Sequence, residues 1–158
     1  MELTMINTTL SNTKLEQHQG QWLSKFADIY TGLNKSNLHT LKNIYHSDIK
    51  FKDPLHEVAG IAQLISYFEN LYTNLASCTF DITHQILSDK EAAIYWDMTY
   101  VHPKLNGGKA ISVSGHSHLK ALDGKVIYHR DYLDVGAMLY EHVPVLGHMV
   151  RYVKNNIA

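Results

Sequence analysis

The chain has few of the cysteine and basic residues that are typical of disulfide-stabilised or nucleic-acid-binding proteins. It contains one cysteine, Cys78, so an intrachain disulfide is ruled out and a reducing compartment is expected. Its 14 Lys and Arg residues against 15 Asp and Glu residues give a formal net charge of −1. Binding to phosphates needs a clear excess of basic side chains. We therefore expect no nucleic-acid partner.

Signals for targeting, membrane insertion and cofactor binding are also missing. The first 19 residues have no basic segment followed by an apolar core, and no stretch approaches the roughly 20 apolar residues of a membrane span. Neither GxGxxG nor a phosphate-binding loop occurs. His116-x-His118 has the spacing of two metal ligands on one strand, but a third ligand is needed. We expect a cytoplasmic protein without cofactor, metal or membrane contact.

What remains is enough apolar sequence for one folded domain. Hydrophobic residues make up 45% of the 158 positions, which can bury a core without metal or disulfides. Residues 1–19 are polar and aperiodic, and we expect a flexible N-terminal arm there. The domain is expected over 20–142, with 143–158 as a C-terminal helix packed on the same domain.

The first half of the chain predicts three helices. Its apolar residues recur at spacings of three and four, which is the period of an amphipathic helix. The expected helices are residues 20–33, a shorter one with Leu38, Leu41, Ile44 and Tyr45 as its apolar stripe and Ser36 or Asn37 as its cap, and Gly60–Ala76. Between the last two, IKFKDP predicts a short strand stopped by Pro54.

After Ser77 the apolar period changes to two, which predicts strands. Hairpin turns are expected at Asn106-Gly107-Gly108 and at Asp123-Gly124, and a final helix over Leu146–Ile157. Helices followed by an antiparallel meander indicate an α+β fold. We expect a cone-shaped, curved, mainly antiparallel sheet with three N-terminal helices over its concave face. An apolar cone of this kind is a natural pocket for a small molecule.

Two motifs connect this pattern to a known family. The first is IYHSDIKFKDPLHEVAGIAQLISYF, and the second is GKVIYHRDYLDVGAMLYE near the end of the last strand. In this order and at this separation they resemble the nuclear-transport-factor-2-like superfamily, specifically its SnoaL-like polyketide cyclase and ketosteroid isomerase branch. The resemblance covers roughly residues 20–142, and it implies a small-molecule pocket and a cofactor-independent site.

The resemblance also implies roles for individual residues. Asp53 matches the position of the general base of ketosteroid isomerases, and Asp131 matches the acid/base aspartate of SnoaL-like cyclases. His129 lies two residues before Asp131 and so shares its face of the strand. The pocket walls would be Trp96, Met98, Tyr100, Tyr67 and Phe68. Two departures argue against steroid isomerisation: Ser117 replaces a buried carboxylic acid, and Ile29, with Tyr30 next to it, replaces a tyrosine.

The last hairpin decides what lies opposite Asp131. If Asp123-Gly124 is a two-residue turn, His116 is opposite Asp131 and His118 is opposite His129. If the loop is a three-residue turn with a glycine bulge, Ser117 is opposite Asp131 instead. We favour the bulge, because the apolar face of Val113–Ala121 then meets Ile127 and Leu133 inside the cone.

The favoured register assigns each face a role. Ser117 and Leu133 then join the ligand-binding set on the concave face. The convex face becomes unusually rich in aromatic and imidazole groups, and we expect a homodimer through it. Its residues would be Tyr95, His116, His118, Arg130, Tyr132 and Asp134.

Two classes of function are compatible with this pocket. A carboxylate in an apolar pocket is costly to desolvate, which suits Asp131, His129 and Asp53 to proton transfer. The first class is therefore a cofactor-independent isomerase, cyclase, dehydratase or hydrolase acting on a small apolar molecule. The second is a non-catalytic small-molecule-binding or accessory protein of the same fold. In the second case Asp53 would be a turn residue, and His129 and Asp131 would be a satisfied hydrogen-bonding pair.

Overall fold

The computed structural model describes residues 20–157, and the expected flexible arm at residues 1–19 lies outside them. The α-helices are α1 (residues 20–31), α2 (Ile61–Asn74), α3 (Val135–Met138) and α4 (Leu146–Ile157). Short 3-10 segments cover Leu38–Asn43, Asn106–Gly108 and Tyr140–His142. The strands are β1 (Tyr45–Lys52), β2 (Glu57–Ala59), β3 (Ser77–Ser88), β4 (Glu91–Val101), β5 (Ile111–Leu122) and β6 (Lys125–Leu133).

The six strands form one sheet in the order β2-β1-β6-β5-β4-β3. All neighbouring strands are antiparallel except β1 and β6, which run parallel with Phe51 beside His129. Asp53 and Asp131 each follow two residues later, so both carboxylates lie at the same end of these two strands. The predicted α+β fold with a mainly antiparallel sheet is confirmed.

Register shifts interrupt three of the strand pairs, and such bulges bend a sheet. The apolar faces of α1, the Leu38–Asn43 turn and α2 pack on the concave side, as expected for the three N-terminal helices. Gly60 precedes α2 with a φ of 86°, a conformation that glycine adopts without strain. The shared core contains Phe26, Tyr30, Leu41 and Leu64 from the helices and Ile49, Ile94, Leu119 and Val126 from the strands.

The second predicted helix is shorter and of a different type than expected. Leu38–Asn43 is a 3-10 segment with Leu38 and Leu41 buried, and Asn37 occupies the cap position without a side-chain capping bond. The assignment of Tyr45 to this helix is wrong, because Tyr45 begins β1 and is 1% exposed. Its alignment with the apolar stripe is coincidental, since the residue is buried by long-range packing.

The favoured register is correct, but its cause differs from the one predicted. Ser117 pairs with Asp131. The turn itself has two residues, since Asp123 and Gly124 have φ values of 51° and 73°, as in a type I′ turn. The register shifts after Ala121 has paired with Val126, so the extra residue is Ile127 within β6. Val126, not the predicted Ile127, is therefore fully buried in the core.

Helix α4 contacts the chain segment 134–141, which lies between β6 and the helix. Gly147 lies against the backbone of Glu141 so closely that a Cβ would be 2.2 Å from the carbonyl oxygen. Arg151 donates to the same carbonyl at 2.8 Å, and Lys154 forms ion pairs with Glu141 and Asp134. None of the helices within residues 20–157 has the length and apolar character needed to cross a bilayer.

Candidate functional site

The concave face of the sheet and the helices over it enclose a cavity with one predominantly aromatic wall. It holds about 630 Å³ of empty space, counting its open mouth. The lining residues are Tyr30, Phe51, Asp53, Pro54, Leu55, His56, Tyr67, Phe68, Leu71, Phe80, Trp96, Met98, Asp131, Leu133 and Met138.

The structure brings together most of the residues expected from the sequence. Seven line the cavity, namely Asp53, Asp131, Trp96, Met98, Tyr67, Phe68 and Leu133. Three others do not. His129 and Ser117 are fully buried behind Asp131, and Tyr100 donates its hydroxyl to the carbonyl of Met138. These three act on the cavity only through residues that line it.

Asp131 is held by a chain of four buried side chains. Its Oδ1 accepts a hydrogen bond from the Ser117 hydroxyl at 2.5 Å and lies 2.8 Å from Nε2 of His129. Behind His129, the Tyr45 hydroxyl lies 2.6 Å from Nδ1. On the other side, the Trp96 indole N–H donates to the Ser117 oxygen at 2.8 Å. Within residues 20–157, Oδ2 of Asp131 has no hydrogen-bond partner.

The direction of these bonds fixes where the protons lie. Indole can only donate, so the Ser117 oxygen accepts from Trp96 and its own proton goes to Asp131. If Nδ1 of His129 carried a proton, the Tyr45 hydroxyl would have to accept it and would leave its own proton without an acceptor among residues 20–157. A neutral His129 protonated at Nε2 satisfies every group. Oδ1 of Asp131 then accepts two hydrogen bonds, and Oδ2 is left for the cavity.

A glycine makes this arrangement possible. Gly115 pairs with Trp96 across β4 and β5, and a Cβ on Gly115 would be 2.4 Å from the indole ring. Real Cβ atoms do not approach so closely, so any larger residue would displace the ring. Without a side chain on residue 115, the indole can lie flat over β5 and reach Ser117.

Asp53 is held differently, by its own loop. Its Oδ1 accepts the backbone N–H groups of Leu55 and His56, both at 2.6 Å, and its Oδ2 accepts the Tyr67 hydroxyl. The two backbone bonds are those of an Asx turn, so Asp53 shapes the loop between β1 and β2. The imidazole of His56 is exposed at the mouth, with Nδ1 3.6 Å from Oδ1.

The phenols around the cavity stay neutral. Burial, and then the negative charge of Asp131, raise the pKa of Tyr30 and of Tyr45 well above the usual 10.0. Burial, followed by the hydrogen bond to Asp53, also raises the pKa of Tyr67. A neutral phenol can donate a hydrogen bond, and Tyr30 lines the same cavity as Asp131. Sequence reasoning placed Ile29 at the position of the family tyrosine, whereas Tyr30 is the residue that lines the cavity.

Other wall residues were missed although the sequence contained a signal for two of them. Phe51 precedes Asp53 by two positions in β1, and Phe80 is an inward position of β3, so strand periodicity places both on the concave face. Met138 comes from α3 and was not among the expected wall residues. Within the described residues, no group of three His, Cys, Asp or Glu side chains is arranged to hold a metal ion.

Solved structures with the same fold support the architecture. A protein named as a SnoaL-like polyketide cyclase, from Jannaschia sp. CCS1, superposes with a TM-score of 0.70 at 14% identity over 80% of this chain and 94% of that one. A ketosteroid isomerase-like protein from Catenulispora acidiphila, in complex with trimethylamine, gives 0.66 at 16% identity, over 78% and 94%. An LEH-like epoxide hydrolase from M. tuberculosis gives 0.63 at 13%, over 89% and 98%.

The sequence itself matches one family. A comparison with curated proteins finds no significant match. The SnoaL-like domain family matches residues 26–129, a segment that runs from α1 to His129 in β6 and covers more than half of the chain. The structural neighbours, the curved sheet and the enclosed cavity agree with that match. The chain belongs to the SnoaL-like domain family.

Proposed function

We propose that the protein binds a small apolar molecule in this cavity and catalyses a proton transfer on it, with Asp131 as the acid/base group. One observation carries the proposal: Asp131 presents a free Oδ2 to an apolar cavity while Oδ1 is fixed by two hydrogen bonds. A base held in one orientation by buried partners loses little entropy when it reacts. Asp53, with three donors bound, is less available for this role.

Tyr30 supplies the second group that such a reaction needs. For a ketone, Asp131 would take a proton from the carbon next to the carbonyl, and the electron pair of that C–H bond would move toward the carbonyl oxygen. The Tyr30 hydroxyl would donate a hydrogen bond to the resulting enolate oxygen. If the ketone carries a β,γ double bond, the enolate is conjugated with it, and Asp131 would return the proton to the γ carbon while the double bond moves next to the carbonyl. In this scheme His129 positions Asp131 and does not touch the substrate, because it is sealed from the cavity.

A non-catalytic binding protein is the second candidate. The observation that favours it is that Asp53, His129 and Ser117 already form hydrogen bonds with neighbouring protein groups. In that case the cavity would bind its ligand through apolar and aromatic contacts, and Asp131 would only orient it.

Replacing Asp131 with Asn separates the two candidates. Asparagine can accept the same two bonds through its oxygen but cannot take a proton, so turnover should fall at least about a hundredfold on a panel of small ketones and epoxides. The melting temperature should change little. The measurement is the initial rate for wild type and variant, alongside ligand binding by calorimetry.

Asp97→Asn is the matched control. Asp97 lies on the opposite face of β4, where it accepts from Ser114, so its loss should leave activity unchanged. Full activity in Asp131→Asn would contradict the catalytic role. Binding without turnover in the wild type would support the second candidate.

We also propose that the convex sheet face forms a homodimer. Four neighbouring side chains lie in a row on this face, in the order Arg130, Tyr132, His116 and Tyr95. The rings of His116 and Tyr132 are stacked, with centroids 4.8 Å apart. Tyr95 and Tyr132 are both exposed. Light scattering at micromolar concentration should give twice the chain mass, and Tyr132→Glu should give the monomer. A monomeric wild type would contradict the proposal.

A further inference from the structure

The walls of the cavity form a continuous belt of aromatic rings with a carboxylate at each end. Successive ring centroids lie 5.2–6.3 Å apart along the belt. The order of rings is Tyr67, Phe51, Phe68, Tyr30, Phe80 and Trp96. The Tyr67 end is bonded directly to Asp53, and the Trp96 end reaches Asp131 through Ser117.

The charges around this belt are almost all negative. No Lys or Arg among residues 20–157 lines the cavity, and the neutral phenols do not compensate the two carboxylates. His56 is the one basic side chain of the described lining. It is largely exposed beside Asp53, so even when protonated it offsets only one of the two charges. An anionic ligand would meet like charge in a poorly solvated space, which is strongly unfavourable.

From this charge pattern we propose that the cavity selects ligands that carry a protonated amine on a small apolar body. The proposal rests on the proposed small-molecule site and specifies its ligand class. Aromatic faces attract cations through their quadrupoles, and a nearby carboxylate adds a direct Coulombic attraction. The same walls accept the apolar body of the ligand.

The ammonium group belongs at the Asp53 end. The centroids of Phe51 and His56 lie 5.4 and 5.3 Å from that of Tyr67, whose hydroxyl donates to Asp53, so three rings cluster at this end of the cavity. Leu55 and His56 are exposed there, so a cation can keep part of its hydration. Oδ2 of Asp53 has accepted only one bond, which leaves a lone pair for an N–H donor.

The Asp131 end is less suitable for the ammonium and better suited to the reacting part of the ligand. Asp131 lies against the fully buried His129 and Ser117, where a cation would lose its hydration. A cation bound to Oδ2 would also block that oxygen as a base. The two carboxylates therefore divide the work, with recognition at Asp53 and chemistry at Asp131.

Three probes of similar shape test this selection: phenethylamine, phenethyl alcohol and hydrocinnamate. They share an aromatic body and differ in carrying a positive, zero or negative charge at neutral pH. Calorimetric titration of the full-length protein at fixed ionic strength should show the amine binding about tenfold tighter than the alcohol. Hydrocinnamate should bind at least about a hundredfold more weakly than the amine.

Variants locate the ammonium. Asp53→Asn keeps an oxygen for the two backbone donors but removes the charge, so the tenfold preference for the amine should fall to near parity. Asp48→Asn, a highly exposed carboxylate in β1 that does not line the cavity, should leave the preference unchanged. Asp131→Asn should retain it.

The outcomes distinguish this inference from the function it rests on. Binding of the alcohol as tightly as the amine in the wild type would overturn the selection while leaving the small-molecule site intact. A preference that survives Asp53→Asn but is lost in Asp131→Asn would overturn the placement of the ammonium. If none of the three probes bound, both the site and its selectivity would be refuted.

Discussion

Replacing His129 with leucine is expected to lower the free energy of unfolding by about 3–5 kcal/mol. Leucine fills a similar volume, so packing changes little. The loss is electrostatic, because the Tyr45 hydroxyl and one lone pair of Asp131 Oδ1 lose their partners inside the protein. Each buried polar group left without a partner costs about 1–3 kcal/mol. Urea titration followed by circular dichroism measures the change.

A double-mutant cycle identifies the source of that loss. Tyr45→Phe removes the hydroxyl that His129→Leu orphans, so the double variant should be more stable than the sum of the two single losses predicts. His118→Leu is the matched control, since His118 is on the opposite face of β5, where it pairs with the exposed Glu91 and contacts the Tyr128 ring. A loss below about 1 kcal/mol for His129→Leu would contradict the buried hydrogen-bond chain.

The fold could be predicted from the sequence because its signals are local. The change of apolar period near Ser77 separates the helical half from the sheet, and Gly60 and Asp123-Gly124 mark element ends through their backbone preferences. The register between β5 and β6 was inferred correctly from the apolar face of Val113–Ala121. The cause of this register was not inferred correctly, because the choice between a bulge in the turn and a bulge at Ile127 depends on packing around Val126.

The site could be predicted only in part, since its hydrogen bonds join distant parts of the chain. His129 and Asp131 were found because their i, i+2 spacing places them on one face. Tyr45 was missed as their partner because it lies 84 residues from His129, and its neighbours imitate a helical stripe. Tyr30 could be assigned to a helix face, but its place in the cavity wall with Asp131 depends on how α1 crosses the sheet.

Raising the pH above 10 is expected to unfold the protein steeply. Burial raises the pKa of Tyr30 and Tyr45 well above the 10.0 expected for an unfolded chain. Burial also raises the pKa of Tyr67 and of Tyr72. These groups are neutral when protonated and lose their protons first in the unfolded state. Their contribution to stability is therefore complete below pH 10 and falls as the pH rises toward the higher folded values.

The slope follows from the number of such groups. Each tyrosine that ionises only on unfolding lowers the free energy of unfolding by about 1.4 kcal/mol per pH unit. Tyr30 and Tyr45 alone give about 3 kcal/mol per unit, against a total stability of about 5–15 kcal/mol for a typical domain. Denaturant titrations at a series of pH values above 10 measure this slope.

Because Tyr30→Phe removes one ionising group, it should reduce the slope by about 1.4 kcal/mol per pH unit. Tyr152→Phe, at an exposed position in α4, should leave it unchanged. Equal slopes in all three proteins would mean that the Tyr30 phenol is not buried as the structure shows.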